Sequence, residues 1–235
     1  GCDQVIVLND SNQKTADVYM GIFNADGSNA AACGNATRCV AELEMNALGT
    51  QHLIIQSPYD LLKADRAGAL ISIDMGLARL EWQEIPLAQN LDTLNVDVGI
   101  AGLPPAVAVN VGNPHAVFFV NNVEAMDIAA FGPQVERHPL FPDRVNVEFV
   151  EVKSPTQMRM RVWERGAGIT QACGSGACAV MVAAVRRGLT QRKADIMLDG
   201  GILNMEYLEN GHVRMTGPVA TSFTGEISDA LLNGK

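Results

Sequence analysis

Apolar and polar positions alternate at the start of this chain. Val18, Met20 and Ile22 alternate with Tyr19, Gly21 and Phe23, which predicts a strand over Asp17–Phe23, and Gln4–Asn9 reads the same way. The period then changes. Ala36, Cys39, Val40, Leu43 and Ala47 fall on one face of a helix over Asn35–Leu48, with Gly49 as its stop. Strand signals return at His52–Gln56, Leu61–Ala64 and Ala69–Asp74, with a polar turn around Gly68. The stretch Ala88–Pro105 is irregular and follows a further proline, Pro86, so a junction between domains is expected near Met75–Pro86. Beyond it, strands are predicted at Val107–Val111, Ala116–Val120, Asn146–Val152 and Gln157–Trp163. In the last, Met158, Met160 and Val162 alternate with Arg159, Arg161 and Trp163, giving one core face and one polar face. A second helix runs from Ser175 to Arg187 and closes at Gly188; strands follow at Asp195–Leu198, Ile202–Tyr207 and Val213–Thr216. Asn210-Gly211 is the strongest hairpin signal and predicts a type I′ turn.

The two helices repeat a pattern. Each follows strands and opens on the same tripeptide, Ala32-Cys33-Gly34 and Ala172-Cys173-Gly174, then a capping residue type, Asn35 or Ser175. The order strands, Ala-Cys-Gly, helix, strands therefore occurs twice, which suggests two equivalent halves. The second helix is apolar almost all round from Ala177 to Val185 and must be enclosed by protein. A sheet curled around a central helix in each half would enclose it. The expected fold class is α+β: two pseudo-symmetric halves, each a mostly antiparallel or mixed sheet around a helix, because hairpin spacing dominates over βαβ spacing.

Composition narrows the function. The 235 residues include 48% apolar and 18% charged residues, which excludes an extended disordered chain. A net charge of -9 matches poorly to a polyphosphate backbone, so no nucleic-acid partner is expected. The longest unbroken apolar run, Ala177–Val185, falls short of the ~20 residues of a membrane span, so no membrane association is expected. No secretory leader pattern opens the chain at Gly1, and a cytoplasmic location is expected.

The five cysteines are Cys2, Cys33, Cys39, Cys173 and Cys178. An odd number in a long chain argues against a disulfide framework. The spacings C-x5-C and C-x4-C, without a CxxC or a nearby His pair, argue against structural zinc, so no metal is expected. Cys39 and Cys178 lie in apolar helical stretches and are expected to be buried and inert. No function attaches to Cys2.

Cys33 and Cys173 differ because each stands at a helix start. Free N–H groups and the helix dipole favour negative charge there, which lowers a thiol's pKa, and the following glycine lets a ligand approach the backbone. Two such sites, one from each half, suggest a cleft with a thiol on each wall. Inversion at a carbon centre needs that arrangement: one thiolate takes a proton from one face and the other thiol gives one to the opposite face. A nucleophilic enzyme needs one cysteine, and a redox pair needs the two sulfurs within bonding distance. Polar turns accompany the thiols: Asn24-Ala25-Asp26-Gly27-Ser28, Gly112-Asn113-Pro114-His115, the polar Asn146 in an apolar run, and Glu164-Arg165-Gly166. His52, His138 and His212 lack such company and read as structural or surface residues.

Taken in order, Asn24-Ala-Asp-Gly-Ser, Ala32-Cys33-Gly34-Asn35-Ala-Thr-Arg38-Cys39, Gly112-Asn113-Pro114-His115-Ala-Val, Asn146-Val-Glu-Phe-Val and Glu164-Arg165-Gly-Ala-Gly with Ala172-Cys173-Gly174-Ser175-Gly-Ala resemble diaminopimelate epimerase from Gly1 to about Gly217. The resemblance implies an isomerase that interconverts LL- and meso-2,6-diaminopimelate, a diamino dicarboxylate of lysine and peptidoglycan-precursor synthesis, without pyridoxal phosphate, metal or any other cofactor. It implies Cys33 and Cys173 as the acid/base pair, with His115 and Glu164 as polar residues beside the thiols. Gln4, Asn24, Asn113, Asn146, Glu164 and Arg165 match substrate-contacting positions, and Gly34, Asn35, Gly174 and Ser175 match the cradle for the reacting carboxylate. Arg165 offers a planar fork to the distal carboxylate, and Glu164 can take an ammonium.

The family fold implied is two similar halves, here 1–76 plus 219–235 and 77–218, with a homodimer as one option for assembly. The family's Gly-Leu-Gly-Asn-Asp-like strand and loop upstream of Gly1 has no counterpart in this sequence, so the first half is expected to lack its opening strand. Ile169 stands where many members carry Glu, with a modest effect expected because Glu164 is kept. The alternatives are a related cofactor-independent amino-acid racemase with another substrate, and a thiol redox or binding protein without turnover.

Overall fold

Strand periodicity and helix periodicity sort this chain into elements close to those expected. The computed structural model describes residues 2, 4–29, 33–58 and 61–228. Strands β1 (Gln4–Asn9) and β2 (Val18–Asn24) precede helix α1 (Gly34–Leu48), followed by β3 (His52–Gln56), β4 (Leu61–Ala67) and β5 (Leu70–Leu77). Then come β6 (Val107–Asn110), β7 (Pro114–Phe119), helix α2 (Ile128–Glu136), β8 (Asn146–Ser154), β9 (Gln157–Glu164) and β10 (Gly168–Thr170). Helix α3 (Gly174–Arg186) and strands β11 (Lys193–Leu198), β12 (Gly201–Tyr207) and β13 (His212–Gly217) complete the order.

Among the described residues the strands form one continuous sheet in the order β1-β2-β3-β4-β5-β13-β12-β11-β9-β8-β7-β6, with β10 paired to β9. Most neighbours are antiparallel, but β2 with β3, β9 with β11 and β7 with β8 are parallel. A parallel pair needs a long crossover, and the chain supplies a helix each time: α1 between β2 and β3, α3 between β9 and β11, α2 between β7 and β8. The repeated strand, cysteine, helix, strand pattern is therefore two crossovers of the same kind. Their sheet segments meet where β13 pairs with β5, a seam with a Thr216 Oγ1 to Ser72 Oγ hydrogen bond of 2.9 Å and a His212–Asp74 contact of 3.0 Å.

Each of the two cysteine-bearing helices has its own core. One cluster joins Val40, Ala41 and Met45 of α1 to Met20, Ile22, Ile55 and Ile73 of the strands; Val219 packs against it. A larger cluster surrounds α3, whose residues from Ala177 to Ala184 are all buried. Strands β6 to β8 are buried on both faces, which explains their continuous apolar runs: Val107, Val109 and Val117 face α3, while Ala108, Phe118 and Phe149 face a third cluster with Ile128 and Val135 of α2.

Four expectations need correction. Helix α2 and strand β10 are absent from the periodicity of the sequence; α2 is short, carries Pro133, and forms because the Asp127 carboxylate caps it by accepting from Ala130 N. Cys39 is exposed rather than buried, because α1 turns Thr37, Arg38, Val40, Ala41 and Met45 to the sheet. Its other apolar residues, Ala36, Cys39 and Leu43, line an outer cavity of about 400 Å³ with Ile6, Leu8 and Phe223. The β12–β13 hairpin forms, but not through a type I′ turn: only Gly211 has positive φ, at 85°, and Gly211 N bonds Leu208 O while Leu208 N bonds His212 O, a three-residue loop closed by a glycine. Finally, neither Asn35 nor Ser175 is an N-cap; the two cysteines are.

Candidate active site

Cys33 and Cys173 occupy the same local structure. Both have extended backbone, with φ of -149° and -128°, and both sulfurs accept the backbone N–H three residues on, Ala36 N and Gly176 N, at 3.4 Å each. A thiol sits where a serine hydroxyl commonly caps a helix, and takes one of the orphan amides of the first turn. The tripeptide repeat is matched at Cys33-Gly34 and Ala172-Cys173-Gly174; Ala32 lies outside the described residues.

The sheet brings these two helix starts together. A Cβ placed on Gly174 would lie 3.4 Å from Gly34 Cα and 3.3 Å from Met215 Sδ. The two glycines face each other across the first turns of α1 and α3. Both cysteines are free thiols, Cys173 buried and Cys33 partly so. Burial pushes both thiols up from the ordinary value, Cys173 well up, with Glu164 adding to both. The helix amides act in the opposite direction, as the sequence leads one to expect, but desolvation outweighs them.

Around Cys173 runs a connected set of polar groups. Ser175 Oγ lies 3.6 Å from Cys173 Sγ, and Asn113 Nδ2 donates to Ser175 Oγ at 3.3 Å. His115 Nε2 lies 2.8 Å from Asn113 Oδ1, and His115 Nδ1 lies 2.6 Å from Glu148 Oε1. His115 and Glu148 are completely buried. Strand alternation puts them on the α3 side of β7 and β8. Glu148 is a residue that sequence reasoning misses, because a Glu in Asn146-Val-Glu-Phe-Val at a sheet position has no local signal of burial.

The remaining expected residues are placed as follows. Gln4 and Asn24 are opposite each other on β1 and β2, with Gln4 Nε2 donating to Asn24 Oδ1 at 3.2 Å and Asn24 Nδ2 to Ser28 Oγ at 3.1 Å. Asn35 Oδ1 accepts from the buried Arg38 at 3.1 Å. Asn146 stitches two turns: its Nδ2 donates to Pro114 O at 3.1 Å and its Oδ1 accepts from Arg165 N at 2.9 Å. Glu164 accepts from Thr170 Oγ1, and the exposed Arg165 guanidinium donates to Asp143 O at 3.0 Å. The turn carrying Glu164 and Arg165 is anchored from α2 by another residue without a sequence signal: buried Glu136 accepts from Trp163 Nε1 at 2.7 Å and from Gly166 N at 3.2 Å.

Among the described residues no group of three or more His, Cys, Asp and Glu side chains is arranged to hold a metal ion, and no helix is long and apolar enough to cross a membrane.

A sheet wrapped around helices in this order is a fold shared with solved structures, one of them an amino-acid epimerase. A hydroxyproline epimerase from Agrobacterium vitis aligns with a TM-score of 0.67 at 15% identity, covering 92% of this chain and 71% of that one. A PhzF-family phenazine biosynthesis protein from Enterococcus faecalis aligns with a TM-score of 0.63 at 15% identity, covering 92% and 79%. At such identities the likeness is one of fold. Sequence goes further. The family model for diaminopimelate epimerase matches residues 107–222. A diaminopimelate epimerase from Rhodospirillum centenum is 54% identical over 235 residues, covering 100% of this chain and 81% of that protein. Another, from Acidiphilium cryptum, is 46% identical over 233 residues, covering 99% and 83%. The chain belongs to the diaminopimelate epimerase family and is an isomerase.

Proposed function

We propose that Cys33 and Cys173 epimerise diaminopimelate between its LL and meso forms by a two-base proton transfer. The observation that carries this reading is the matched pair of N-capping thiols on helices that start side by side, where a Cβ added to Gly174 would meet Gly34 Cα at 3.4 Å. Cys33, whose thiol is raised less and which accepts amides from Ala36 and Asn35, serves first as the base. Its thiolate takes the α-proton, the electron pair stays on the substrate as a carbanion conjugated with the carboxylate, and the Cys173 S–H delivers its proton to the opposite face. The products are a Cys33 thiol, a Cys173 thiolate and the inverted centre; the reverse reaction exchanges the roles.

The charge that develops on the reacting carboxylate falls at the first-turn amides of Gly34, Asn35, Gly174 and Ser175, where helix N-termini stabilise it. Asn24, Gln4, Asn113 and Asn146 supply amide groups to the substrate's ends, Arg165 the fork for the distal carboxylate and Glu164 an acceptor for ammonium. His115 supports the Cys173 side through Asn113. No step passes through a cofactor. The division into 1–76 plus 219–235 and 77–218 gives each half one of the two helix-capping thiols. The reaction belongs in the cytoplasm, with precursor synthesis.

The test is α-hydrogen exchange in deuterated water with LL- and meso-diaminopimelate and a panel of other amino acids. Exchange with diaminopimelate, lost in Cys33→Ala and in Cys173→Ala, is the expected result. Exchange with another amino acid alone would move the assignment to a racemase of that substrate, and a reversible Cys33–Cys173 disulfide with no exchange would make this a redox protein.

A further inference from the structure

The group farthest along the polar chain from Cys173 is the least explained. Glu148 is fully buried, and Oε2 has no hydrogen-bond partner among the described residues. Among the described residues its side-chain partner is His115 Nδ1, also fully buried, at 2.6 Å. Gly176, in the first turn of α3, leaves the room it occupies: a Cβ there would lie 2.9 Å from Glu148 Oε1 and 3.3 Å from Cys173 Cβ. An ionised carboxylate with one oxygen orphaned in such a place is costly. A proton shared within the Glu148–His115 pair removes that cost.

That proton has a consequence for direction. If it lies between Oε1 and Nδ1, the other ring proton must be on Nε2, which then donates to Asn113 Oδ1. This orients the Asn113 amide so that Nδ2 donates to Ser175 Oγ, and the Ser175 hydroxyl is left to donate to Cys173 Sγ. Without it, a neutral His115 with its proton on Nδ1 would present a lone pair at Nε2 and turn the Asn113 amide around, taking the N–H away from Ser175.

We propose that Glu148 is a positioning residue that, through His115, Asn113 and Ser175, fixes one direction of hydrogen bonding and ends it as a donor on the Cys173 sulfur. Its role in turnover rests on the two-thiol reading; its effect on the thiol does not.

Two measurements on the full chain test this. In ¹⁵N-histidine NMR, His115 Nε2 is protonated at neutral pH; an Nδ1–H neutral tautomer overturns the proposal without any variant. The second follows alkylation of Cys173 by iodoacetamide against pH, by peptide mass, with Cys33 as internal reference. The titratable groups acting on Cys173 are Glu164 and Glu148. Glu148→Leu removes the donor, so the Cys173 midpoint rises by about one pH unit while Cys33 stays, and kcat falls about ten-fold with little change in KM. Glu148→Gln, whose amide N–H can donate to Nδ1, restores the Cys173 profile and most of kcat. A fall of the Cys173 midpoint in Glu148→Leu identifies Glu148 as an ionised neighbour and overturns the proposal, as does a Gln variant as impaired as Leu. Absence of turnover in every protein, with the thiol midpoints moving as stated, counts against the epimerase reading alone.

Discussion

Gly34 and Gly174 stand Cα against side-chain space: a Cβ on Gly174 would come to 3.4 Å from Gly34 Cα, and one on Gly34 to 3.6 Å from Gly174 Cα and 2.9 Å from Met215 Cε. Two residues far apart in sequence thus face each other between the helices that carry the thiols. Both positions meet the flexible Met215 first, so Gly34→Ala and Gly174→Ala cost about 1 kcal/mol or less of stability. The added methyl nevertheless fills space between the two helix starts that carry the proton-transfer groups. Turnover is expected to fall about 100-fold while the melting temperature drops by a few degrees at most; steady-state kinetics beside a thermal melt checks this, and a variant with normal turnover would show that the approach is dispensable.

The thiols themselves should be inseparable in function. Cys33→Ala and Cys173→Ala are each expected to lower epimerisation at least about 10³-fold. Cys33→Ser is expected to keep the capping bond to Ala36 N, and hence stability, but not the proton transfer. Comparison of unfolding midpoints with exchange rates separates the two roles.

Glu136 holds the Glu164–Arg165 turn from α2 through Trp163 Nε1 and Gly166 N. Glu136→Leu orphans both donors, at an expected cost of about 1–3 kcal/mol. Because the turn carries proposed substrate contacts rather than a thiol, KM should rise more than kcat falls. Denaturant unfolding with kinetics at several substrate concentrations reads both effects.

Cys178 gives a pH prediction. Burial in α3 pushes its thiol from 9.0 to about 12. Between those values the unfolded chain loses this proton and the folded one keeps it, so stability is complete below pH 9 and falls as pH rises toward 12. The thiol contributes about 1.4 kcal/mol per pH unit within the window. Unfolding of Cys178→Ala at pH 8.5 to 10.5 should depend on pH with one proton fewer than the parent; an unchanged slope would refute the assignment.

Elements with a clear period are legible in the chain's own pattern. The alternation in Asp17–Phe23 and Gln157–Trp163 and the all-apolar face of Ser175–Arg187 each locate an element, since burial on one face or all faces leaves its period in the sequence. Helix α2 is not legible: Pro133 and Gly132 interrupt its pattern, and it is held by packing, with Gly132 lying under the Trp163 ring. Cys39 misleads because α1 has two apolar sides, and periodicity does not tell which of them a sheet will cover.

The sequence by itself determined that two helices start on Cys-Gly, that strands flank each of them, and that polar turns at Asn24, Asn113 and Glu164 accompany the thiols. These are local facts, written within a few residues of where they act. Only the tertiary structure decided the rest. The pairing of β13 with β5 joins the sheet around both helices, the facing glycines bring the two cysteine-capped helix starts side by side, and parallel β7 and β8 put His115 beside Glu148. Burial then reversed the direction in which the helix amides alone would move the thiols. Desolvation depends on everything packed around a group, and no stretch of sequence contains that information.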